Sequence, residues 1–361
     1  MKIAINVLPL KLKHKDRGIG FYTSNLIENL KDDSSLEVQE FIHLSEIWNA
    51  DIVHYPWFDF FFHTLSINKQ FKTIVTIHDV IPLIFPKQYP VGLRGKFNLI
   101  LQRLALRNFK SIITDSEVSK KDISKYLGID KEKAFVVYLA ANKNFRTQKE
   151  TKLIYTKRKY KLPDNFLLYV GDANWVKNLP FLIEGFNNLI QTSDFKDVKL
   201  VLVGGVFLKN VENINHPELE SLKRVNRLIK EQNLEGNILR PGELNLEELI
   251  YFYNLATVYV QPSLYEGFRL PLIEAFSCGT PVVSSNKGSL LEVGGDAAVY
   301  FDPTNLSQFV SILKEILQSK SLQDKLSRLG LKRAEKFSWD KVVADTKKVY
   351  LKTMESIWLK K

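Results

Sequence analysis

Apolar, β-prone runs alternate with amphipathic stretches along the whole chain. Residues 3–8 read as a first buried strand. After it, Tyr22, Leu26, Ile27 and Leu30 recur at helical spacing. Further strands are expected at 51–55, 73–77, 111–114 and 134–138. Asp115-Ser116 and Gly128 bracket a helix over 117–127, the first pair as a cap and the glycine as a stop. A polar stretch at 142–163, rich in Lys and Thr, reads as a linker. Then the rhythm restarts. Strands are expected at 166–170, 198–203, 237–239, 257–261 and 281–284. Helices fall after Lys177, over 218–232 and 247–256, near 306–317 and 322–336, and over 340–359. Strand–helix alternation in both halves predicts two doubly wound α/β domains.

The densest stretch is 257–285. A strand passes through Pro262-Ser263 into a loop holding Glu266 and Gly267. A short helix follows, with Pro271 near its first position and Gly279 just past its last. Glu266 then lies in the loop and Glu274 on the first helical turns. A helix N-terminus suits phosphate, whereas carboxylates suit hydroxyls, so the pair points to a ribose and a sugar. The plain alternative is a loop residue and a solvated helix position. Elsewhere, Gly18-Ile-Gly20 joins a strand to a helix, where a ligand can approach the backbone; Thr23 at the third position breaks the dinucleotide fingerprint. His78-Asp79 stands at the C-terminal end of the 73–77 strand, where open α/β sheets bind ligands; a structural histidine is the other reading. Lys177 immediately precedes a helix start, as a diphosphate clamp should.

Composition adjusts this picture modestly. At 361 residues, 45% hydrophobic and 25% charged, the chain is an ordinary globular protein of about two domains. No apolar run reaches the ~18 residues of a membrane span. The N-terminus reads as a strand and not as a signal peptide. The single cysteine, Cys278, excludes an internal disulfide and fits a cytoplasmic location. A net charge of +11 asks for an anionic partner: nucleic acid, membrane surface or substrate. Lys11, Lys13, Lys15 and Arg17 crowd the loop at 9–20. Residues 84–110 contain no Asp or Glu, but carry Lys87, Arg94, Lys96, Arg103, Arg107 and Lys110 among aliphatic residues and Phe97. The second half of that stretch reads as a helix with one apolar and one basic face. It either lies on an anionic bilayer or is a core helix with a solvated basic side. The aromatics at 56–62 form either a satellite core or a greasy surface. No Asp-x-Asp motif, metal-ligand spacing or Ser-His-Asp arrangement occurs.

The string SLYEGFRLPLIEAFSCGTPVVSS at 263–285, followed by EVGGDAAVYFDP at 292–303, resembles the donor-site signature of the retaining glycosyltransferases of family four. GIGFYTSNLIENL at 18–30 and VTIHDVIPLIFPKQYP at 75–90 are similar to other segments of that family. The resemblance implies the GT-B fold, two Rossmann-like domains facing across a cleft. An acceptor-side domain is expected over 1–161, with the helix at 340–361 packing back on it, and a donor domain over 162–339. By the same resemblance, Glu266 holds the donor sugar, Glu274 the ribose and Lys177 the diphosphate, while His78 touches sugar hydroxyls. Gly18 and Gly20 face the donor phosphate. Gly171, Gly204, Gly242 and Glu243 sit in nucleotide-facing loops. Gly267, Phe268, Arg269 and Leu270 complete the donor loop. Two departures stand out. Val176 and Asp172 occupy positions where the family often has an arginine, and Arg269 replaces a usual glycine and could supply the missing charge. The implied reaction moves a hexose from a nucleotide-sugar, with a lean to GDP-mannose, onto a glycan or lipid-linked glycan. It needs no cofactor or metal. Residues 87–110 would touch the inner face of the plasma membrane. The alternatives are an epimerase or phosphorylase on the same fold, or a non-catalytic nucleotide-sugar or nucleic-acid binder. The cations and aromatics do not form a known nucleic-acid module, so no nucleic-acid partner is expected.

Overall fold

The computed structural model describes residues 1–11, 18–62, 64–65 and 70–355. The chain divides into two compact units. The first comprises Met1–Ala140 and the segment from Phe337 onward. Its elements are β1 (Lys2–Asn6), α1 (Leu8–Lys11), α2 (Gly18–Lys31), β2 (Glu37–Phe41), β3 (Ile52–Tyr55), β4 (Lys72–Thr76), α3 (Ile81–Ile84), α4 (Leu93–Arg107), β5 (Ser111–Thr114), α5 (Glu117–Leu127) and β6 (Ala134–Val136). The strands form a parallel sheet in the order β2-β1-β3-β4-β5-β6. Its inner strands are buried on both faces, which is why they read as unbroken apolar runs. Ala4, Val53, Val75 and Ile112 pack with Phe41, Tyr55, Leu106 and Phe109. Thr76 pairs with Ile113, so the residues two positions on, His78 and Asp115, leave neighbouring strands side by side.

The second unit, Ala141–Lys336, holds α6 (Glu150–Lys159), β7 (Phe166–Val170), α7 (Leu179–Ile190), β8 (Lys199–Val203), α8 (Glu220–Glu231), β9 (Ile238–Gly242), α9 (Leu246–Leu255), β10 (Val258–Gln261), α10 (Leu270–Ser277), β11 (Val282–Ser285), α11 (Leu290–Gly294), β12 (Ala298–Phe301), α12 (Leu306–Gln318) and α13 (Lys320–Ala334). The parallel sheet runs β12-β11-β10-β7-β8-β9. This is the Rossmann order, and its direction of winding reverses between β7 and β10. Leu167, Leu200, Val258 and Val283 from the sheet meet Leu182, Phe186, Phe309 and Leu313 from the helices.

The last helix, α14 (Trp339–Glu355), belongs to the first unit and packs on α2, β4 and β5. Tyr350 is hydrogen-bonded to His54 Nδ1 at 2.7 Å, and Thr353 to Ser111 at 2.7 Å. His54 Nε2 meets Thr76 at 2.8 Å, and Thr76 meets the Tyr22 hydroxyl at 3.1 Å. Burial pushes His54 down to about 3, so this interior ring is neutral.

Three expectations need adjustment. The chain divides at Ala140, earlier than the expected 161/162, and again at Lys336. The stretch taken as a linker forms α6, because Tyr160 packs edge-on against Phe252 at 5.0 Å and Lys159 pairs with Glu248 at 2.5 Å. The polar edge strand β2 was not anticipated. The remainder of the last expected helix, beyond 355, lies outside the described residues, as do Lys13, Lys15 and Arg17.

Candidate active site

Open α/β sheets bind ligands beyond the C-terminal ends of their strands, where the winding reverses. In the second unit that point lies between β7 and β10. After β7 the chain turns at Gly171 (φ +144°), beside Gly204 (φ +152°). A Cβ on Gly204 would stand 2.4 Å from the Gly171 carbonyl oxygen, so only glycine lets these loops meet. One 3₁₀ turn, Trp175–Lys177, and a left-handed Asn178 (φ 54°) lead into α7, with Pro180 in its first turn. Asn178 donates to the Pro262 and Pro303 carbonyls at 3.3 and 3.1 Å, tying this turn to the loop after β10.

That loop carries Glu266, buried at 5% exposure. Lys177 Nζ stands 2.8 Å from each Glu266 oxygen. Ser263 donates to Glu266 Oε1 at 2.6 Å and Gln261 Nε2 does so at 3.2 Å. Gln261 Oε1 accepts from Tyr259 at 2.6 Å and from Arg269 Nε at 2.7 Å. The loop backbone is equally pinned. The Glu266 carbonyl accepts from Ser289 N and Oγ, both at 3.1 Å, and Leu264 N donates to Val176 O at 2.8 Å. Burial opposes ionisation of Glu266, but Lys177 and Arg269 overcome it and hold its pKa below the usual carboxylate value. Glu274, on α10, differs. Burial raises it to about 7, although Tyr253 donates to it at 2.8 Å and Arg269 lies near. The two carboxylates are thus pushed in opposite directions, Glu266 down and Glu274 up.

Lys177, Glu266, Arg269 and Gly171 therefore form one cluster, and Glu274 shares the field of Arg269. Gly204 borders Gly171; Gly205 faces Glu243, and Gly242 (φ +81°) faces Leu208. Gly267 is buried and Leu270 opens α10. Phe268 is a core side chain, and its carbonyl accepts from Ser289. Arg269 is the residue that could supply the missing phosphate charge. Its guanidinium lies over the Tyr169 ring at 5.8 Å and donates to the Val170 carbonyl. A backbone at φ 92° starts α10 and, with these partners, makes Arg269 an internal counter-ion. Sequence reasoning passed over Ser263, Gln261, Tyr253, Tyr259 and Gly288. The available signal was Tyr259 and Gln261 alternating on one face of an otherwise apolar strand.

In the first unit, His78 Nδ1 lies 2.7 Å from Asp115 Oδ2. The Tyr22 ring meets the imidazole edge-on at 4.7 Å. Gly18 and Gly20 form the first turn of α2, which carries Tyr22, and neither has a positive φ. Burial would lower the His78 pKa, but the charge and hydrogen bond of Asp115, with Asp79 beside it, hold it above the usual value. A cavity of about 200 Å³ opens where this sheet reverses, between β1 and β3, lined by Asn6, His43, Leu44, Tyr55, Trp57 and Thr64 among others.

The helix expected in the basic stretch is α4. It buries Gln102, Ala105 and Leu106. The Gln102 amide holds the aromatic loop through the Asp59 and Phe62 carbonyls, and Phe58 packs in the core. The outward face carries Leu93 (86% exposed), Phe97 (60%), Ile100 (55%) and Leu104 (41%), spaced as one stripe. Arg94, Lys96, Arg103 and Arg107 are exposed around it. No helix among the described residues is long and apolar enough to cross a membrane, and none of their His, Cys, Asp and Glu side chains group as a metal site.

Residues 152–333 match the family described as Glycosyl transferases group 1, and residues 34–144 match Glycosyltransferase Family 4. The O-antigen chain mannosyltransferase B of Escherichia coli is 28% identical over 280 residues, which cover 77% of this chain and 70% of that protein. The serotype-specific mannosyltransferase WbdA of Escherichia coli is 28% identical over 284 residues, 77% of this chain but only 33% of that longer protein. Among solved structures, Anabaena HepE in complex with UDP and glucose superposes with a TM-score of 0.74 at 16% identity, covering 98% of this chain and 100% of that one. With the donor-loop signature lodged at the reversal point of a Rossmann sheet, these matches establish that the chain belongs to the Glycosyl transferases group 1 family: it is a glycosyltransferase with the GT-B fold.

Proposed function

We propose that the protein transfers mannose from GDP-mannose, with retention and without a metal, to a growing surface glycan. The carrying observation is the buried Lys177–Glu266 pair at the reversal point of the second sheet, one cation and one carboxylate beside the start of α7. A nucleoside diphosphate needs a cation and free backbone N–H groups, and a sugar needs fixed acceptors. Lys177 takes the diphosphate, Glu266 the sugar hydroxyls and Glu274 the ribose. Relatives named as mannosyltransferases favour mannose, and a neighbour solved with UDP and glucose favours a nucleotide-sugar donor.

In the proposed step an acceptor hydroxyl oxygen forms a bond to the anomeric carbon as the bond from that carbon to the β-phosphate oxygen breaks. The hydroxyl proton passes to the departing phosphate on the same face. The chain's own work is orientation and stabilisation of the leaving charge. In the first unit, His78 contributes a hydrogen bond to a substrate hydroxyl. The cavity beside Trp57 and Tyr55 has the size and lining for an acceptor sugar ring. The exposed stripe of α4 with its surrounding cations suits the headgroup boundary of an anionic bilayer, where a lipid-linked acceptor resides.

The test is transfer of radiolabelled mannose from GDP-mannose to a lipid-linked glycan acceptor, against UDP-glucose and dTDP-rhamnose as rival donors. A thermal-shift screen of the same donors runs beside it. Selective use of a rival donor refutes the mannose assignment. Full activity of Glu266→Ala and Glu274→Ala refutes the site.

A further inference from the structure

We propose that Asp115 is a positioning residue for the transfer: it grips His78 through Nδ1 and so leaves Nε2 to meet a substrate oxygen. This rests on the reading that His78 contacts substrate.

Parallel pairing of β4 with β5 brings the two residues together, as the Thr76–Ile113 register carries His78 and Asp115 out of adjacent strands. The contact is short, 2.7 Å, and the Asp115 side chain is 2% exposed. The backbone is held as well. Ser119 on α5 donates its hydroxyl to the His78 carbonyl at 3.1 Å, and its N–H is capped by Ser116 at 3.0 Å. Tyr22 from α2 closes one edge of the ring.

The other end of the ring is different. Nε2 is buried and has no hydrogen-bond partner. The Pro56 backbone is a hydrogen-bonding neighbour that also favours the charged ring, but it makes no well-formed bond to Nε2. Buried polar atoms are nearly always satisfied, and a histidine kept for structure alone would be bonded at both nitrogens, as His54 is. An unmatched nitrogen beside a fully matched one is the pattern of a group awaiting a ligand.

The charged groups around the ring favour its charged form, although burial opposes ionisation of both His78 and Asp115. Asp115 from β5 and Asp79 just after β4 both favour the imidazolium. His54 from β3 is neutral, and the Tyr22 phenol is held protonated by burial. Asp79 caps the Ile81 N–H at 2.9 Å, which leaves Asp115 as the hydrogen-bonded anion. With both nitrogens protonated, Nδ1 donates to Asp115 and Nε2 is free to donate to a sugar hydroxyl or phosphate oxygen.

The experiment follows the His78 ring by NMR titration in the full-length protein, wild type against Asp115→Asn, with steady-state kinetics across pH. The wild-type ring should titrate above an ordinary histidine, and Asp115→Asn should lower that midpoint by about one unit or more. The turnover number should fall about tenfold to a hundredfold while the donor KM holds, and the alkaline limb of the kcat profile should move to lower pH. Asp115→Glu should recover part of both. A merely structural aspartate would lower the melting temperature and leave the limb in place; that result, or an unmoved His78 titration, overturns the proposal. If His78→Ala is impaired but Asp115→Asn is normal, this inference alone fails. If His78→Ala turns over normally, the assignment of His78 to the substrate fails with it.

Discussion

In the free enzyme the cation proposed for the diphosphate is already engaged. Lys177 Nζ lies 2.8 Å from both oxygens of Glu266, so an incoming diphosphate must share it or draw it away. The near-isosteric Glu266→Gln substitution isolates that competition. At 2.8 Å and an effective dielectric of about 20, the lost attraction is about 6 kcal/mol before solvation. Most of this is offset by desolvation, and charged hydrogen bonds net about 1.5–3 kcal/mol. The low end corresponds to about tenfold in affinity. GDP lacks the sugar that Glu266 would hold, so it should bind Glu266→Gln about tenfold tighter than wild type. Sugar transfer should fall at least about tenfold, because an amide cannot accept the paired hydroxyl bonds of a carboxylate. Isothermal titration calorimetry with GDP at low salt reads the first quantity, and initial-rate assays read the second. Low salt keeps screening from hiding the effect. If GDP binding weakens in step with transfer, lysine and carboxylate act on the donor as one unit and the competition argument is wrong.

Three further outcomes follow from the geometry. Glu274 has its folded pKa raised from about 4.5 to about 7, so the folded state keeps a proton the unfolded chain releases, and stability declines as pH rises through that window. Glu274→Gln should therefore raise the melting temperature at about pH 8 and hardly at about pH 5; calorimetry at each pH checks this. Gly288→Ala should destabilise the donor loop by about 1–3 kcal/mol and raise the donor KM, since φ is +60° and the new Cβ would stand 2.6 Å from the Glu266 carbonyl oxygen; chemical denaturation and kinetics decide. Paired Phe97→Ser and Ile100→Ser changes should abolish co-sedimentation with phosphatidylglycerol vesicles and leave transfer to a water-soluble acceptor intact. Unchanged sedimentation would remove α4 from the membrane.

Much of this was legible in the residues, and the gaps have physical causes. The inner strands of both sheets are covered on both faces, which compels runs such as Leu200 to Val203 that any periodicity reading finds. β2 escapes because, at the sheet edge, only Phe41 is buried and the rest stays polar. α6 escapes because it buries a single side chain, Thr156. The short helix begun by Pro271 was readable from local chemistry. The Lys177–Glu266 bond was not, because its partners lie on different strand ends far apart in sequence. Periodicity showed that α4 has an apolar face but could not say which side the core takes. Core contact goes to Ala105 and Leu106, leaving Phe97 outside. The internal contacts of Arg269 were hidden for a similar reason: the Tyr169 ring and the Gln261 side-chain carbonyl that it meets come from β7 and β10.

The return of α14 to the first unit governs how the chain is made. During synthesis the second unit is contiguous and complete once Lys336 has left the ribosome. The first unit has all its strands by then, but it lacks Tyr350 and Thr353, the partners of His54 and Ser111. Those two groups lack these partners until Tyr350 and Thr353 emerge. The nascent chain thus carries one finished lobe and one unsealed lobe, and the unsealed one, emerging first, is where a chaperone would have something to hold.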